Sequence, residues 1–151
     1  MIVRITKEFT FEMAHALWNY DGDCRNIHGH SYKLFVTITG TPVSEVNNKK
    51  FGMVLDFKDL KSLVKFQVVD VLDHSLAIYK NAGGDSLQAI QEMYKKVFVY
   101  DFQPTSENLV IHIASIIKDK LPTHLKLHSV RLFETATSCA EWYASDNPDE
   151  L

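Results

Sequence analysis

The sequence has 151 residues, a formal net charge of -3 at pH 7 and a hydrophobic fraction of 46%. These values are typical of one globular domain with a full apolar core, which we expect to span residues 1–151. The lack of a basic excess argues against nucleic acid and membrane surfaces, so a small molecule is the expected partner.

No apolar run approaches the ~20 residues of a membrane helix, and the N-terminus lacks the layout of a signal peptide. We therefore expect a cytoplasmic protein. The chain has two cysteines, Cys24 and Cys139, which are far apart in sequence. In a reducing compartment we expect both to be free thiols.

Alternating apolar and polar residues predict two half-buried strands near the N-terminus. The first covers residues 2–14. The second runs from His30 to Thr39, and Gly40 and Pro42 end it. A polar loop containing Cys24 separates the two strands.

Apolar residues at helical spacing predict two amphipathic helices in the middle of the chain. The first begins after Asp56, a favourable N-cap residue, and ends near Asp70. The second is opened by Pro104 and Thr105, and Pro122 closes it.

Between the two helices, "DHSLAIYKNAGGD" is predicted to be irregular, "SLQAIQEMYKK" to form a short helix and "VFVYD" a short strand. Two further strands are predicted near the C-terminus, in "KLHSVRLFET" and "SCAEWYA", before a polar tail. Strands at both ends of the chain with helices between them indicate an α+β domain. The expected architecture is an antiparallel four-stranded sheet with two helices on one face.

Three histidines are candidate metal ligands. His28 and His30 are separated only by Gly29, so on a strand their side chains point to the same face. His15 lies at the end of the apolar face of the first strand, and pairing of the two strands would bring all three imidazoles together. Three neutral nitrogen ligands leave a fourth position for water or substrate, the pattern of a catalytic zinc site.

The residues alone leave other interpretations of this segment open. Two histidines at a strand end can simply hydrogen-bond to water. Cys24 could be a fourth ligand that closes a structural site, or a free thiolate near the metal that acts as a base.

Two further groups could carry chemistry. Asp73 and His74 form a carboxylate and imidazole pair of the kind that transfers protons near neutral pH, although adjacent side chains on a strand face opposite ways. Glu134 continues the strand face of Val130 and Leu132, so it is either a buried carboxylate that needs partners or a charge emerging into solvent.

Several motifs, in the same order along nearly the whole chain, resemble the 6-pyruvoyltetrahydropterin synthase superfamily and within it the bacterial queuosine-pathway branch. They are "FEMAHAL", "CRNIHGHSYKL", "GMVLDFKDLK", "LDHSL", "PTSENL" and "ETATSCAEW". The resemblance implies the tunnelling fold (T-fold), in which sheets of several subunits join into a barrel with helices outside. It also implies a homo-oligomer, a hexamer or a related assembly, with active sites between subunits.

The resemblance implies a role for each matching residue. The zinc ligands would be His15, His28 and His30. The catalytic groups would be Cys24 as the thiol and Asp73 with His74 as the proton-transfer pair. Glu134 would anchor the 2-amino and N3–H edge of a pterin ring through two parallel hydrogen bonds. Thr105 and Ser106 would border the pterin, and Glu107 would help there or cap its helix.

The implied enzyme is a zinc-dependent lyase. It would convert 7,8-dihydroneopterin triphosphate to 6-carboxy-5,6,7,8-tetrahydropterin, acetaldehyde and triphosphate in queuosine biosynthesis. In the animal-type branch the side chain stays on as a 6-pyruvoyl group, which is the alternative within the superfamily. Three residues separate Cys24 from His28, a spacing similar to that of the queuosine branch. A non-catalytic domain with a closed zinc site is the alternative from another class.

Overall fold

A computed structural model describes residues 1–148. The last residues of the predicted domain and polar tail, 149–151, lie outside the described part. In chain order the strands and helices are β1 (Val3–His15), β2 (His28–Gly40), α1 (Phe57–Val64), α2 (Asp70–Leu72), β3 (Ser75–Tyr79), α3 (Ser86–Met93), β4 (Val97–Tyr100), α4 (Ser106–Lys120), β5 (Lys126–Phe133) and β6 (Cys139–Tyr143).

The sheet is a mixed one, with strand order β4-β3-β1-β2-β5-β6. The strands β1, β2, β5 and β6 pair antiparallel, as expected from the sequence. However, β3 pairs parallel with the end of β1, and β4 pairs parallel with β3. The α+β class is therefore confirmed. The prediction of a sheet with four strands, all antiparallel, was wrong, because the sheet has six strands and includes two parallel pairings.

The missing strand was β3, which lies in the segment that we predicted to be irregular. It has only five residues, Ser75–Tyr79, and it follows directly on a turn. A parallel partner is distant in sequence, so no hairpin signal marks such a strand. Pairing with β1 and β4 makes this segment a strand, and the residues of the segment alone do not indicate these partners.

Both predicted amphipathic helices are present. The Asp56 side chain accepts a hydrogen bond from the backbone N–H of Lys58 and so caps α1. Helical structure continues through a π-helical stretch, Lys65–Val69, into α2. The second amphipathic helix is α4, and the predicted short helix is α3, which buries none of its residues.

One hydrophobic cluster fills the space between the sheet and the helices α1 and α4. Fully buried members include Leu34 of β2, Leu60 of α1, Ile113 of α4 and Leu132 of β5. Both amphipathic helices therefore cover the same face of the sheet. Among the described residues, no helix combines the length and apolar character required to cross a bilayer.

The burial of Ile113 predicts a large loss of stability on truncation. We expect Ile113→Ala, at a fully buried position, to lower the free energy of unfolding by about 2–5 kcal/mol through lost transfer energy and a cavity. The matched control is Ile111→Ala on the same helix, because Ile111 is 50% exposed. We expect a change within about 1 kcal/mol for the control. Denaturant titration measures both, and equal losses would contradict this assignment of the core.

Candidate metal centre and adjoining cavity

The pairing of β1 with β2 brings the three predicted histidines together. In this antiparallel register His15 lies opposite His28, and Met13 lies opposite His30. Directly opposed residues share a face of the sheet, so all three imidazoles project to the face that carries the core. One ring nitrogen of each histidine lies within 4.8 Å of those of the other two.

Backbone carbonyl groups fix the tautomers of two of these rings. The Nδ1 of His15 donates to the carbonyl of Pro104 at 2.7 Å, and the Nδ1 of His28 donates to that of Asn26 at 2.8 Å. A neutral ring that donates through Nδ1 has a lone pair at Nε2. The Nε2 atoms of His15 and His28 are 3.1 Å apart. Two lone pairs at this distance repel, and a cation bound between them would remove the conflict.

His30 provides the third nitrogen of the cluster. Its Nε2 is buried without a hydrogen-bond partner in the described part of the chain, and Oε1 of Glu134 is 3.4 Å away. Burial lowers the pKa of His15, which favours the neutral ring that metals require. The three rings therefore fit one divalent metal ion, and two of them have the outer hydrogen bond to a carbonyl group that is typical of metal-bound histidine.

A cavity of about 280 Å³ adjoins the histidine cluster. Its wall includes most of the other residues singled out in the sequence. These are Cys24, Thr105, Ser106, Glu107 and Glu134, and His15 of the cluster also lines the cavity. Residues from the β1–β2 loop, the start of α4 and the end of β5 thus meet around one space.

Cys24 reaches this cavity from the loop of residues 16–27, which connects His15 to His28. A short 3₁₀ turn, Asp23–Arg25, carries it, and the backbone N–H of Leu17 donates to the Cys24 carbonyl at 2.9 Å. The thiol is free and half-buried. The candidate metal-binding group found among the described residues contains the three histidines and no cysteine.

Glu134 lies just beyond the end of β5, with 27% of its side chain exposed. Its backbone N–H donates to the carbonyl of Ser138 at 3.1 Å, and its carboxylate accepts a hydrogen bond from the Ser106 hydroxyl. Thr105 is the N-cap of α4, and Glu107 is exposed in the first turn of that helix. The carboxylate is therefore held at the cavity wall with one oxygen already bonded.

Asp73 and His74 form a pair, as predicted, but the pair does not border this cavity. The Nδ1 of His74 is 2.9 Å from Oδ2 of Asp73. The other oxygen, Oδ1, accepts a hydrogen bond from the backbone N–H of Glu12 at 2.9 Å, and this bond lowers the pKa of Asp73. The imidazole borders a separate cavity of about 410 Å³, together with Gly29, Ser31 and His30 of the histidine cluster.

The turn that presents His74 is tightly restrained. His74 has a φ of +58°, which is uncommon for a residue other than glycine. Its backbone N–H donates to the Glu12 carbonyl at 2.7 Å, and Lys96 donates to the Asp73 carbonyl at 2.8 Å. These contacts restrain the backbone at His74, whose side chain is 77% exposed.

The matches to known proteins agree with the order of motifs along the chain. The family model described as 6-pyruvoyl tetrahydropterin synthase matches residues 4–145. The chain belongs to the 6-pyruvoyl tetrahydropterin synthase family. A relative from Haemophilus influenzae, named 6-carboxy-5,6,7,8-tetrahydropterin synthase, is 39% identical over 92% of this chain and 97% of its own length. A relative from Synechocystis with the same name is 34% identical over 93% of this chain and 92% of its own length.

Two solved structures have a fold similar to that of this chain. The 6-pyruvoyl tetrahydropterin synthase of Caenorhabditis elegans has a TM-score of 0.67 at 25% identity, covering 95% of this chain and 96% of that one. An uncharacterized protein of Wolinella succinogenes has a TM-score of 0.77 at 24% identity, covering 95% of this chain and 98% of that one. At this identity the second match shows the fold alone.

Some parts of this family member's site were not predicted from its sequence. Leu17 and Tyr20 line the cavity, and Pro104 supplies the carbonyl group that orients His15. Gln103 hydrogen-bonds to the loop that carries Cys24. Leu17 and Tyr20 lie between His15 and Cys24 in the sequence, and this position could have predicted that they line the cavity. Backbone acceptors and loop contacts leave no such signal in the sequence.

The histidine cluster predicts a single strong site for divalent metal ions. We expect His28→Ala to weaken binding at least about 100-fold, because one of three ligands is lost. The matched control is His124→Ala, at an exposed loop histidine, which should bind as tightly as the unchanged protein. Calorimetric titration of chelator-treated protein with Co²⁺ measures both affinities. Equal binding by His28→Ala and the unchanged protein would contradict the proposed ligand set.

Proposed function

We propose that this protein is a 6-carboxy-5,6,7,8-tetrahydropterin synthase. It converts 7,8-dihydroneopterin triphosphate to 6-carboxy-5,6,7,8-tetrahydropterin, acetaldehyde and triphosphate, a step of queuosine biosynthesis. The observation that carries the proposal is the meeting of Cys24, Glu134 and His15 of the histidine cluster around one cavity. Relatives with this name that match nearly the whole chain support the same reaction.

We assign zinc to the histidine cluster, with His15, His28 and His30 as ligands. Three imidazole nitrogens with an open fourth position form the donor set of catalytic zinc. When bound there, the ion would act as a Lewis acid that makes neighbouring O–H and C–H groups of the substrate more acidic. The carbonyl groups of Pro104 and Asn26 hold two of the rings in the tautomer that binds metal.

Glu134 is the proposed anchor for the pterin ring. A carboxylate accepts two parallel hydrogen bonds from the N3–H and 2-amino groups of a pterin. The Ser106 hydroxyl, already bonded to this carboxylate, orients it. A volume of about 280 Å³ lies near the lower end of the ~300–1,000 Å³ range of ligand pockets. Such a space suits a planar bicyclic ring, with Thr105 bordering it and Glu107 at its edge.

Cys24 is the proposed base. Its thiol borders the same cavity as His15 but lies outside the histidine cluster, so it can face the substrate side chain. A nearby cation favours the thiolate, which is the form that removes a proton. A free Cys24 also leaves the fourth metal position open to substrate.

Asp73 and His74 are the proposed proton-transfer pair. The carboxylate of Asp73 accepts from Nδ1 of His74 and so leaves Nε2 free to exchange protons with substrate. Because His74 borders a cavity that includes neither Cys24 nor Glu134, we assign the pair to the active site of a neighbouring subunit. This assignment requires a homo-oligomer, a hexamer or related assembly, in which the strands at the sheet edges, β4 and β6, find partners.

Product analysis distinguishes this activity from the alternative within the family. With 7,8-dihydroneopterin triphosphate as substrate, we expect acetaldehyde, triphosphate and 6-carboxytetrahydropterin in equal amounts. Mass spectrometry and an aldehyde-trapping reagent detect them. Release of triphosphate with the 6-pyruvoyl product and no acetaldehyde would overturn the proposal in favour of a 6-pyruvoyltetrahydropterin synthase. Zinc content should be measured on the same sample.

The role of Cys24 predicts separate effects on turnover and on metal binding. We expect Cys24→Ala to lose activity by about 10²–10⁴-fold, the usual contribution of a proton-transfer group, and to keep its zinc. The control is Ser115→Ala, because Ser115 is exposed on α4 and, unlike Cys139, does not line the cavity. Activity assays and elemental analysis measure both effects. Loss of zinc from Cys24→Ala would make the thiol a ligand and favour a closed structural site.

A further inference from the structure

The loop that carries Cys24 depends on one distant side chain. Within residues 16–27 the backbone bonds are local, such as the bond between Leu17 and the Cys24 carbonyl. Among the described residues, the loop makes two hydrogen bonds to a side chain outside the β1–β2 hairpin, and both go to Gln103. Its Oε1 accepts from the backbone N–H of Trp18 at 2.9 Å, and its Nε2 donates to the Trp18 carbonyl at 3.1 Å.

The chemistry of this contact requires a primary amide. A glutamine side chain combines an acceptor oxygen and a donor nitrogen, so it can pair with both backbone groups of one residue as a strand would. Only one orientation of the Gln103 amide satisfies the N–H and the carbonyl of Trp18 together. The Trp18 ring contacts the Tyr79 ring, and the two ring centroids are 5.7 Å apart.

The backbone of Gln103 is itself fixed to the start of α4. Its carbonyl accepts from the backbone N–H of Thr105 at 2.8 Å and from the side-chain amide of Asn108 at 2.9 Å. The next residue, Pro104, holds the His15 ring through its carbonyl. The segment 103–105 therefore contacts the histidine cluster, the helix at the cavity wall and the Cys24 loop at the same time.

We propose that Gln103 is a positioning residue that sets the place of the Cys24 thiol relative to the histidine cluster. This inference rests on the proposed function, because it supposes that the thiol reacts at the metal centre. The backbone N–H of Leu17 donates to the Cys24 carbonyl, so a contact that holds Trp18, the next residue, also holds the backbone at Cys24. A displacement of about 1 Å can cost about 100-fold in rate when reacting groups must be aligned.

The substitution Gln103→Met tests the proposal, because methionine keeps the length of the side chain and removes both hydrogen-bonding atoms. We expect kcat to fall by about 10–100-fold, with KM and zinc content unchanged. The matched control is Gln88→Met on the exposed surface of α3, where the amide makes one hydrogen bond, to Glu92 at 2.9 Å. The control should retain its kcat. A kcat for Gln103→Met equal to that of the control would overturn the proposal.

A second measurement is independent of turnover. In chelator-treated protein, the alkylation rate of each cysteine by iodoacetamide is followed by peptide mass spectrometry. We expect Gln103→Met to raise the rate at half-buried Cys24 about threefold or more through better access. The rate at Cys139, which lines the same cavity but is already exposed, should stay unchanged. An unchanged rate at Cys24, or a parallel rise at both cysteines, would overturn the proposal.

The two measurements distinguish a failure of the proposed function from a failure of the proposed role of Gln103. If the unchanged protein fails to process 7,8-dihydroneopterin triphosphate while Gln103→Met still exposes Cys24 selectively, the proposed function is wrong. The proposed positioning role of Gln103 then remains supported. If the unchanged protein is active and Gln103→Met alters neither kcat nor the alkylation rate of Cys24, the proposed role of Gln103 is wrong and the proposed function stands.

Discussion

The register between β1 and β2 is the constraint on which the rest of the site depends. Side chains alternate between the two faces of a strand, so a slip of one residue would move a whole set to the opposite face. In the observed register His15 opposes His28. A shift would separate the histidine cluster and also remove from the core either Phe11 of β1 or Leu34 of β2, which are both buried. Core packing and metal geometry thus select the same pairing.

The start of α4 links this hairpin to the remainder of the cavity. Thr105 caps the helix, Ser106 bonds to Glu134, and the carbonyl of Pro104 holds the ring of His15. The helix is anchored in the core by residues such as Ile113. Site residues from three separate parts of the sequence are therefore supported by one well-packed element, which favours a preorganised centre.

Much of this organisation could be predicted from the sequence, because the relevant patterns are local. Two strands with clear alternation, two helices with apolar faces and the spacing of His28 and His30 are all visible in short windows. Strand β3 could not be predicted in this way, since its parallel partners lie far along the chain. The same reason applies to Gln103, whose contact with Trp18 joins residues that are remote in sequence.

The placement of Asp73 and His74 has a consequence for genetics. His74 and Cys24 border different cavities of the same chain, and the Asp73–His74 pair shares no direct contact with Cys24 among the described hydrogen bonds and ion pairs. In the proposed assembly, a chain defective in one set still offers an intact copy of the other to its neighbour. Two alleles, each inactive alone, can then complement each other in mixed oligomers, whereas alleles that damage the β1–β2 register cannot.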